Sequence, residues 1–287
     1  MRYQIPVKAD ALLKERLDAL VATFDLSTIS PDPLELVRRY DDPLDQEVAG
    51  LIAAAFAYGR ADIIVANVGR VLDAMSPSPY RDLVGFDRAV ARRRFATFAH
   101  RFHKAPDLVA FLARLASVVK EHGSLGKLFE KSYQPADADI GPSLARFVSA
   151  IVGTGNHRRG ALRYLLSSPD DGSACKRMNL FLRWMVRRDA PDLGLWRFVD
   201  PAKLVIPLDT HVYRIATFLG LNGRKSADWK TARAITDRLA TFEPSDPVRY
   251  DFAICRLGVL DLCSRRRRKE NCDVCLLRDV CRFPLLQ

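Results

Sequence analysis

The stretch PDDGSACKRMNLFLRWMVRR, residues 169–188, decides how the rest of the chain is interpreted. Its first residues are turn formers around Gly172, and they lead directly into a helical pattern. A helix that begins after such a turn offers free backbone N–H groups and the positive end of its dipole to an anion. The segment therefore predicts a phosphate-binding turn formed by Gly172, Ser173 and Ala174, with Lys176 beside it in the first helical turn.

Helical spacing orders the side chains that follow this turn. Apolar residues repeat on one face, namely Met178, Phe181, Leu182, Met185 and Val186. Lys176, Arg183 and Arg187 fall on the opposite face. We therefore predict a basic stripe that points away from the core. An ordinary amphipathic helix with a solvated basic face would show the same spacing, and periodicity alone favours that simpler interpretation.

A second segment, VIPLDTHVYRIA at residues 205–216, also leads into a helix. Its apolar residues follow the helical rule, namely Val212, Ile215, Ala216 and Leu219. Asp209 stands just before this pattern, where aspartate is a favoured N-cap. The residue is either only a cap or also a carboxylate that stabilises positive charge or accepts a proton.

Five of the six cysteines crowd the C-terminal part of the chain. Four of them, Cys263, Cys272, Cys275 and Cys281, form a C-x8-C-x2-C-x5-C pattern. Clustered cysteines in a cytosolic protein favour metal over disulfides. A zinc site usually shows two short C-x2-C pairs, whereas four thiolates in a compact, unequal run favour a [4Fe–4S] cluster. Zinc and free thiols remain the alternatives. Cys175 and Cys255 are predicted to be bystanders, with Cys255 a small buried residue.

Composition bounds the class of protein. The chain has 287 residues, of which 48% are hydrophobic, and its 45 Lys and Arg against 34 Asp and Glu give a net charge of +11. These values exclude a mainly disordered chain and indicate an anionic partner. The longest apolar run, from Val48 to Tyr58, is too short to span a bilayer, and it belongs to a helix predicted over Asp45 to Met75. Residues 1–8 lack the order of a secretory signal. We expect a cytoplasmic protein.

Sequence patterns predict helix over nearly the whole chain, and no linker is long enough to separate independent domains. We predict two helical lobes with a cleft between them. Residues 41–195 would form the lobe that carries Lys176. Residues 1–40 together with 196–287 would form the second lobe, with Asp209 and the four-cysteine segment.

The order of the three motifs resembles the helix-hairpin-helix DNA glycosylases of the endonuclease III superfamily. In that family a G-x-G-x-K motif, a V-D-T-H-like segment and a C-x6-C-x2-C-x5-C tail follow one another. Gly172 and Lys176 match the first motif and Asp209 the second, and the four-cysteine tail follows. The stretch GSACKRMNLFLRWMVRRD also resembles a bacterial family of uncharacterised proteins associated with this superfamily.

Three departures from the endonuclease III pattern are visible. Ala174 replaces the second hairpin glycine, and the first cysteine interval holds eight residues. Lys176 and Asp209 lie 33 positions apart, a longer separation that is more similar to that of the archaeal 8-oxoguanine glycosylases.

The resemblance implies an all-α, two-lobed glycosylase fold with a C-terminal iron–sulfur loop. It implies a monomeric, nucleoid-associated enzyme that removes a damaged base from double-stranded DNA, with an oxidised base as the candidate. Lys176 would be the nucleophile that forms a Schiff base with the opened sugar and permits strand cleavage, and Asp209 would stabilise the positive charge on the sugar. The alternative is a non-catalytic or redox-responsive iron–sulfur protein that binds DNA.

The resemblance also implies where DNA would bind. The DNA-contacting residues would be Gly172, Ser173, Ala174, Arg177, Arg183, Arg187, Arg265, Arg266, Arg267, Arg268 and Lys269. The last five lie inside the cysteine segment, where consecutive cations suit phosphate contacts. A target base must leave the stack, so aromatic walls are expected around it. Candidates are Phe181, Trp184, Trp196 and Tyr213, although aromatic residues on helices are more often core residues.

Overall fold

A computed structural model describes residues 7–153, 160–266 and 268–283 of the chain. Arg267, one of the predicted DNA contacts, lies outside these residues. The described part is mainly helical, which confirms the all-α prediction. Its helices are α1 (Val7–Thr23), α2 (Leu34–Val37), α3 (Pro43–Ala55), α4 (Ala61–Ala74), α5 (Pro79–Val84), α6 (Arg88–Arg94), α7 (Ala105–His122), α8 (Leu125–Ser132), α9 (Gly141–Val152), α10 (Ala161–Leu165), α11 (Lys176–Val186), α12 (Thr210–Phe218), α13 (Trp229–Ala240), α14 (Asp251–Val259) and α15 (Lys269–Asp273).

Two short strands, β1 (Ala99–His100) and β2 (His103–Lys104), pair antiparallel as a hairpin. Short 3₁₀ turns cover Leu26–Thr28, Pro169–Asp171, Pro201–Lys203, Pro247–Tyr250 and Arg278–Val280. Among the described helices, none has the length and apolar character needed to cross a membrane. The division into two lobes stays a prediction.

The helix predicted over residues 45–75 is wrong, because two helices occupy this stretch. Asp42 caps α3 by accepting a hydrogen bond from the N–H of Leu44, and Pro43 sets its first turn. The helix ends after Ala55, and Gly59 adopts φ +107° before α4 begins. A left-handed residue cannot continue a right-handed helix. The break exposes the last carbonyl groups of α3, which become part of the site described below.

The turn predicted before α11 is confirmed. Ser168 caps the 3₁₀ turn over Pro169–Asp171, and Gly172 follows in the left-handed conformation with φ +72°. Glycine suits this position because a side chain would strain the backbone there. Cys175, also left-handed with φ +49°, precedes the first residue of α11. Helix α11 then packs against α3 in the centre of the protein.

The predicted basic stripe is wrong for Arg183 and Arg187. These side chains are only 3% and 4% exposed. Arg183 pairs with Asp192, with Nε and Oδ1 3.1 Å apart, and also with Asp251. Arg187 pairs with Asp192 at 2.5 Å and with Asp246 at 2.8 Å. Carboxylates from the following loop and from two distant segments therefore neutralise a face that its spacing predicts to be solvated, and neither arginine is available to a DNA phosphate.

Helices α12 and α14 pack closely together, and α1 packs against α14 and the C-terminal 3₁₀ turn. The buried side of α1 carries Leu13, Leu17 and Leu20. An ion pair between Arg16 and Asp279, with N and O 2.8 Å apart, joins α1 to the cysteine segment. The early and late parts of the described chain thus share one core.

Candidate active site

A cleft of about 1380 Å³ brings Lys176 and Asp209 together. Lys176 enters it from the first turn of α11, and Asp209 enters it from the start of α12. The break between α3 and α4 forms another wall, and one face of α14 forms the floor. Two residues that are 33 positions apart in sequence therefore line the same cavity.

Lys176 is anchored by the end of α3. Its Nζ donates a hydrogen bond to the carbonyl of Ala57 at 3.0 Å. Arg177, the next residue, donates to the carbonyl of Ala55 at 3.2 Å. Cations at a helix N-terminus oppose the dipole of that helix. Here Arg177 satisfies the carbonyl of the last residue of α3, and Lys176 satisfies a carbonyl in the break that follows this helix. This contact fixes the amine at the cleft wall.

Arg177 also organises an aromatic rim at the mouth of the cleft. Its guanidinium carbon lies 5.2 Å from the ring centre of Tyr58 and 4.4 Å from that of Tyr164. Burial lowers the pKa of Arg177 below its ordinary value. Because both of its Nη atoms donate to backbone carbonyls, this arginine holds the rim in shape. Its predicted contact with DNA stays a prediction.

The rim extends to the tip of the β1–β2 hairpin. Phe102 is 56% exposed there and stacks on Tyr58, with ring centres 5.6 Å apart. Tyr164, 43% exposed, meets Phe102 edge-on at 4.8 Å. The Tyr58 hydroxyl also hydrogen-bonds Nδ1 of His103 at 2.5 Å. Sequence reasoning missed these aromatics. Of the four predicted wall residues, Tyr213 lines the cleft, whereas Phe181, Trp184 and Trp196 are buried core residues.

Asp209 is the N-cap of α12, as the sequence predicts. Its Oδ1 accepts hydrogen bonds from the N–H groups of His211 at 2.8 Å and Val212 at 2.7 Å. Its Oδ2 lies 3.6 Å from Sγ of Cys255, which donates to it. The two oxygens therefore have separate tasks, since one caps the helix and the other faces the thiol and the cleft.

One face of α14 supports this carboxylate. Asp251, Cys255 and Gly258 recur at helical spacing and all line the cleft. Burial raises the pKa of Asp251 to about 6, and the Arg183 guanidinium opposes that rise. Although burial alone would lower the pKa of Arg183, Asp192 and Asp251 raise it above its ordinary value. The ion pairs of Arg183 therefore connect Asp192 to Asp251, a residue that lines the cleft. The i, i+4, i+7 spacing of the three α14 residues was the available sequence signal.

Gly258 permits α14 to approach α12. A Cβ atom at this position would lie 2.2 Å from Nδ1 of His211. We expect Gly258→Ala to lower the free energy of unfolding by about 1–3 kcal/mol, because overpacking forces neighbours to move. Gly223→Ala is the matched control, because a Cβ there meets nothing within 4 Å. Urea denaturation measures both variants, and equal stability would contradict the close contact.

Asp32 is a further carboxylate that the sequence did not single out. It lies just before α2, where its Oδ1 accepts a hydrogen bond from the N–H of Leu34 at 2.9 Å, and it lines the same cleft. Burial raises its pKa, and the positive charges of Arg183 and Lys176 oppose that rise. The cleft therefore holds acidic residues from four parts of the chain, with Asp62 as the fourth beside Asp32, Asp209 and Asp251, and one lysine.

The four clustered cysteines surround a second, smaller cavity of about 70 Å³, and Cys175 and Cys255 do not line it. Burial raises the pKa of Cys263 to about 11, and it also raises the pKa of Cys275. Across residues 7–153, 160–266 and 268–283, no three His, Cys, Asp or Glu side chains are arranged to hold a metal ion. The four sulfurs nevertheless share one enclosure, which their unequal spacing does not by itself guarantee.

The basic segment lies between the two cavities. Arg265, Arg266, Arg268 and Lys269 are exposed. Arg265 lines the large cleft, whereas Arg266 and Arg268 line the cysteine cavity. Arg268 also pairs with Asp261. Positive charge is therefore present at the edge of the site that contains Lys176 and Asp209.

Comparison with known proteins places the chain in a family. A family model described as a protein of unknown function (DUF2400) matches residues 32–260. The chain belongs to the DUF2400 family. The region that defines DUF2400 includes Asp32, Lys176, Asp209 and Cys255, and it ends before Cys263. Searches of curated proteins and of solved structures found no match for this DUF2400 protein.

Proposed function

We propose that this protein is a DNA glycosylase with associated lyase activity, which removes a damaged base from double-stranded DNA. The observation that carries the proposal is the presence of Lys176 and Asp209, each at the start of its helix, in one cleft. A protein that only binds DNA has no need of an amine and a carboxylate facing the same space.

Asp209 would stabilise the transition state of base release. Breaking an N-glycosidic bond places positive charge on the sugar, and a nearby carboxylate lowers the energy of that charge. Oδ1 is committed to the N–H groups of α12. The oxygen left for the sugar is therefore Oδ2.

Lys176 would supply the nucleophile. A neutral amine can attack C1′ of the sugar as the base leaves with the electrons of the glycosidic bond. Breakage of the C1′–O4′ bond, with transfer of a proton from nitrogen to O4′, then opens the ring and gives the Schiff base that permits strand cleavage. To reach a sugar, Nζ must release the carbonyl of Ala57, a single hydrogen bond. The amine is thus held at the cleft wall, and among the described residues no carboxylate forms an ion pair with it.

The four cysteines would hold a [4Fe–4S] cluster. Their thiol sulfurs are the ligands that iron–sulfur clusters use, and all four line one small cavity. Burial holds the pKa of Cys263 high, so a bound metal is what would stabilise its thiolate. The cluster would be structural, keeping the basic segment beside the cleft. Zinc is the alternative occupant, and absorbance near 400 nm from a brown protein would distinguish the two.

The aromatic rim would contact bases next to the extruded nucleotide. Exposed aromatic side chains stack on unpaired bases, and such contacts are worth about 1–3 kcal/mol by alanine substitution. We expect Phe102→Ala to weaken binding to a duplex with one mismatched base by about that amount, as measured by fluorescence anisotropy. Val84, 45% exposed and outside the cleft, provides the control variant Val84→Ala. If both variants bind equally well, the rim has no part in recognition.

The proposed activity is tested with duplexes that each carry one oxidised, alkylated or deaminated base. The protein is incubated with each duplex in the presence of borohydride, which reduces a Schiff base to a stable adduct. We expect base release and a covalent protein–DNA adduct with at least one lesion. Salt-dependent DNA binding with no product for any lesion would overturn the enzyme proposal and support a non-catalytic DNA-binding protein.

A further inference from the structure

The cleft contains a thiol that the proposed chemistry does not use. Cys255 lies on the face of α14 that forms the floor, and its Sγ is 3.6 Å from Oδ2 of Asp209. It is separate from the four-cysteine cavity. Oδ1 accepts hydrogen bonds from two backbone N–H groups, and the thiol is the group that donates to Oδ2.

The chemistry of the surroundings keeps this sulfur a donor. Burial raises the pKa of Cys255 well above its ordinary value, and the negative charges of Asp209 and Asp251 raise it further. The group therefore stays protonated at neutral pH. A neutral S–H donates weakly and is a poor nucleophile, so it does not compete with Lys176 for the sugar.

We propose that Cys255 is a positioning residue that fixes the direction of the Asp209 carboxylate by donating to Oδ2. This inference rests on the proposed glycosylase function, in which Oδ2 is the oxygen that faces the sugar. A strong hydrogen-bond donor at this place would withdraw negative charge from Oδ2. The weak S–H donor orients this oxygen and leaves most of its negative charge available.

The other ionisable groups around the carboxylate come from several elements. They are Lys176 and Arg183 from α11, Asp251 from α14, Asp32 from the segment before α2, and His211 from α12 itself. None of these changes when Cys255 is replaced. A pH effect of a Cys255 variant is therefore attributable to the thiol if the fold is retained.

Cys255→Ala and Cys255→Ser form a matched pair, because both lose the sulfur volume and only serine keeps a donor. A donor to the ionised carboxylate favours that form and lowers its pKa. We expect the acidic limb of the plot of single-turnover excision rate against pH to move to higher pH by about half a unit in Cys255→Ala. In Cys255→Ser the acidic limb should lie at the same pH as in the protein with Cys255, or at a lower pH.

Ile254→Val on the same helix is the control for packing, because Ile254 is buried in the core away from the cleft. This variant should leave the acidic limb where it is. If Cys255→Ala and Cys255→Ser move the limb in the same direction by the same amount, or if Ile254→Val reproduces the shift, Cys255 has only a packing role and the inference is wrong.

A readout that does not need activity is the infrared S–H stretch of the full-length protein. Hydrogen bonding to a carboxylate lowers its frequency, and Cys255→Ala identifies the band. We expect the band to rise in frequency in Asp209→Asn. A band that Asp209→Asn leaves unchanged would overturn the positioning role whatever the enzyme does. A band that responds, in a protein that excises no base, would instead overturn the proposed function alone.

Discussion

Asp209→Asn is expected to slow base excision under single-turnover conditions by about 10²–10⁴-fold, because it removes the charge that would stabilise the sugar cation. Asparagine is as good an N-cap as aspartate. Its side-chain oxygen can still accept from the N–H groups of His211 and Val212. The free energy of unfolding should therefore change little, and loss of activity can be separated from loss of fold.

Lys176→Gln is the companion variant. It should abolish the borohydride-trapped adduct, while its amide can still donate to the carbonyl of Ala57. Lys120→Gln, at an exposed position of α7, controls for the loss of one positive charge. An adduct that persists at full yield in Lys176→Gln would show that another amine is the nucleophile. If Asp209→Asn excises the base at the same rate as the protein with Asp209, the role of Asp209 is only to cap α12.

The second large effect is expected on stability, from Arg183→Met. This change leaves Asp251 buried without its guanidinium partner and leaves Asp192 with Arg187 alone. Removing one partner from a buried ionic network costs about 3–5 kcal/mol, because it leaves a buried charge uncompensated. Urea denaturation should show a loss of this size, followed through the fluorescence of the buried tryptophans.

Arg39→Met provides the matched control. Arg39 pairs with Asp73 at 3.3 Å on the surface, where the two side chains are 49% and 70% exposed, and such a pair contributes at most about 1 kcal/mol. Adding Asp251→Asn to Arg183→Met should recover part of the lost stability, because one buried carboxylate is neutralised. Equal losses in Arg183→Met and Arg39→Met would mean that the buried network does not hold α11 and α14 together.

Local patterns predicted the features that depend on neighbouring residues. The turn at Gly172 and the cap at Asp209 follow from residue types whose conformations are set within a few positions. The helical character of the chain follows from apolar periodicity in the same way. The candidate pair Lys176 and Asp209 was identified from two helix starts together with the resemblance to the endonuclease III motifs.

Features that depend on distant residues were missed. The face with Arg183 and Arg187 resembles a solvated surface until Asp246 and Asp251 are brought against it. Spacing along one helix carries no information about such partners. The aromatic rim was not predicted because the helical periodicity is continuous across the break at Gly59. Tyr58 can contribute to the site only because the helix ends before it.

The contact of α1 with α14 and the C-terminal 3₁₀ turn has a consequence for synthesis on the ribosome. Helix α1 is translated long before α14, so its buried leucines, Leu13, Leu17 and Leu20, lack their covering surface during most of elongation. Exposed apolar surface on a growing chain favours aggregation and chaperone binding. The helices between α3 and α11 can pack while translation continues. Completion of this core then waits until the segment around Asp279 has emerged.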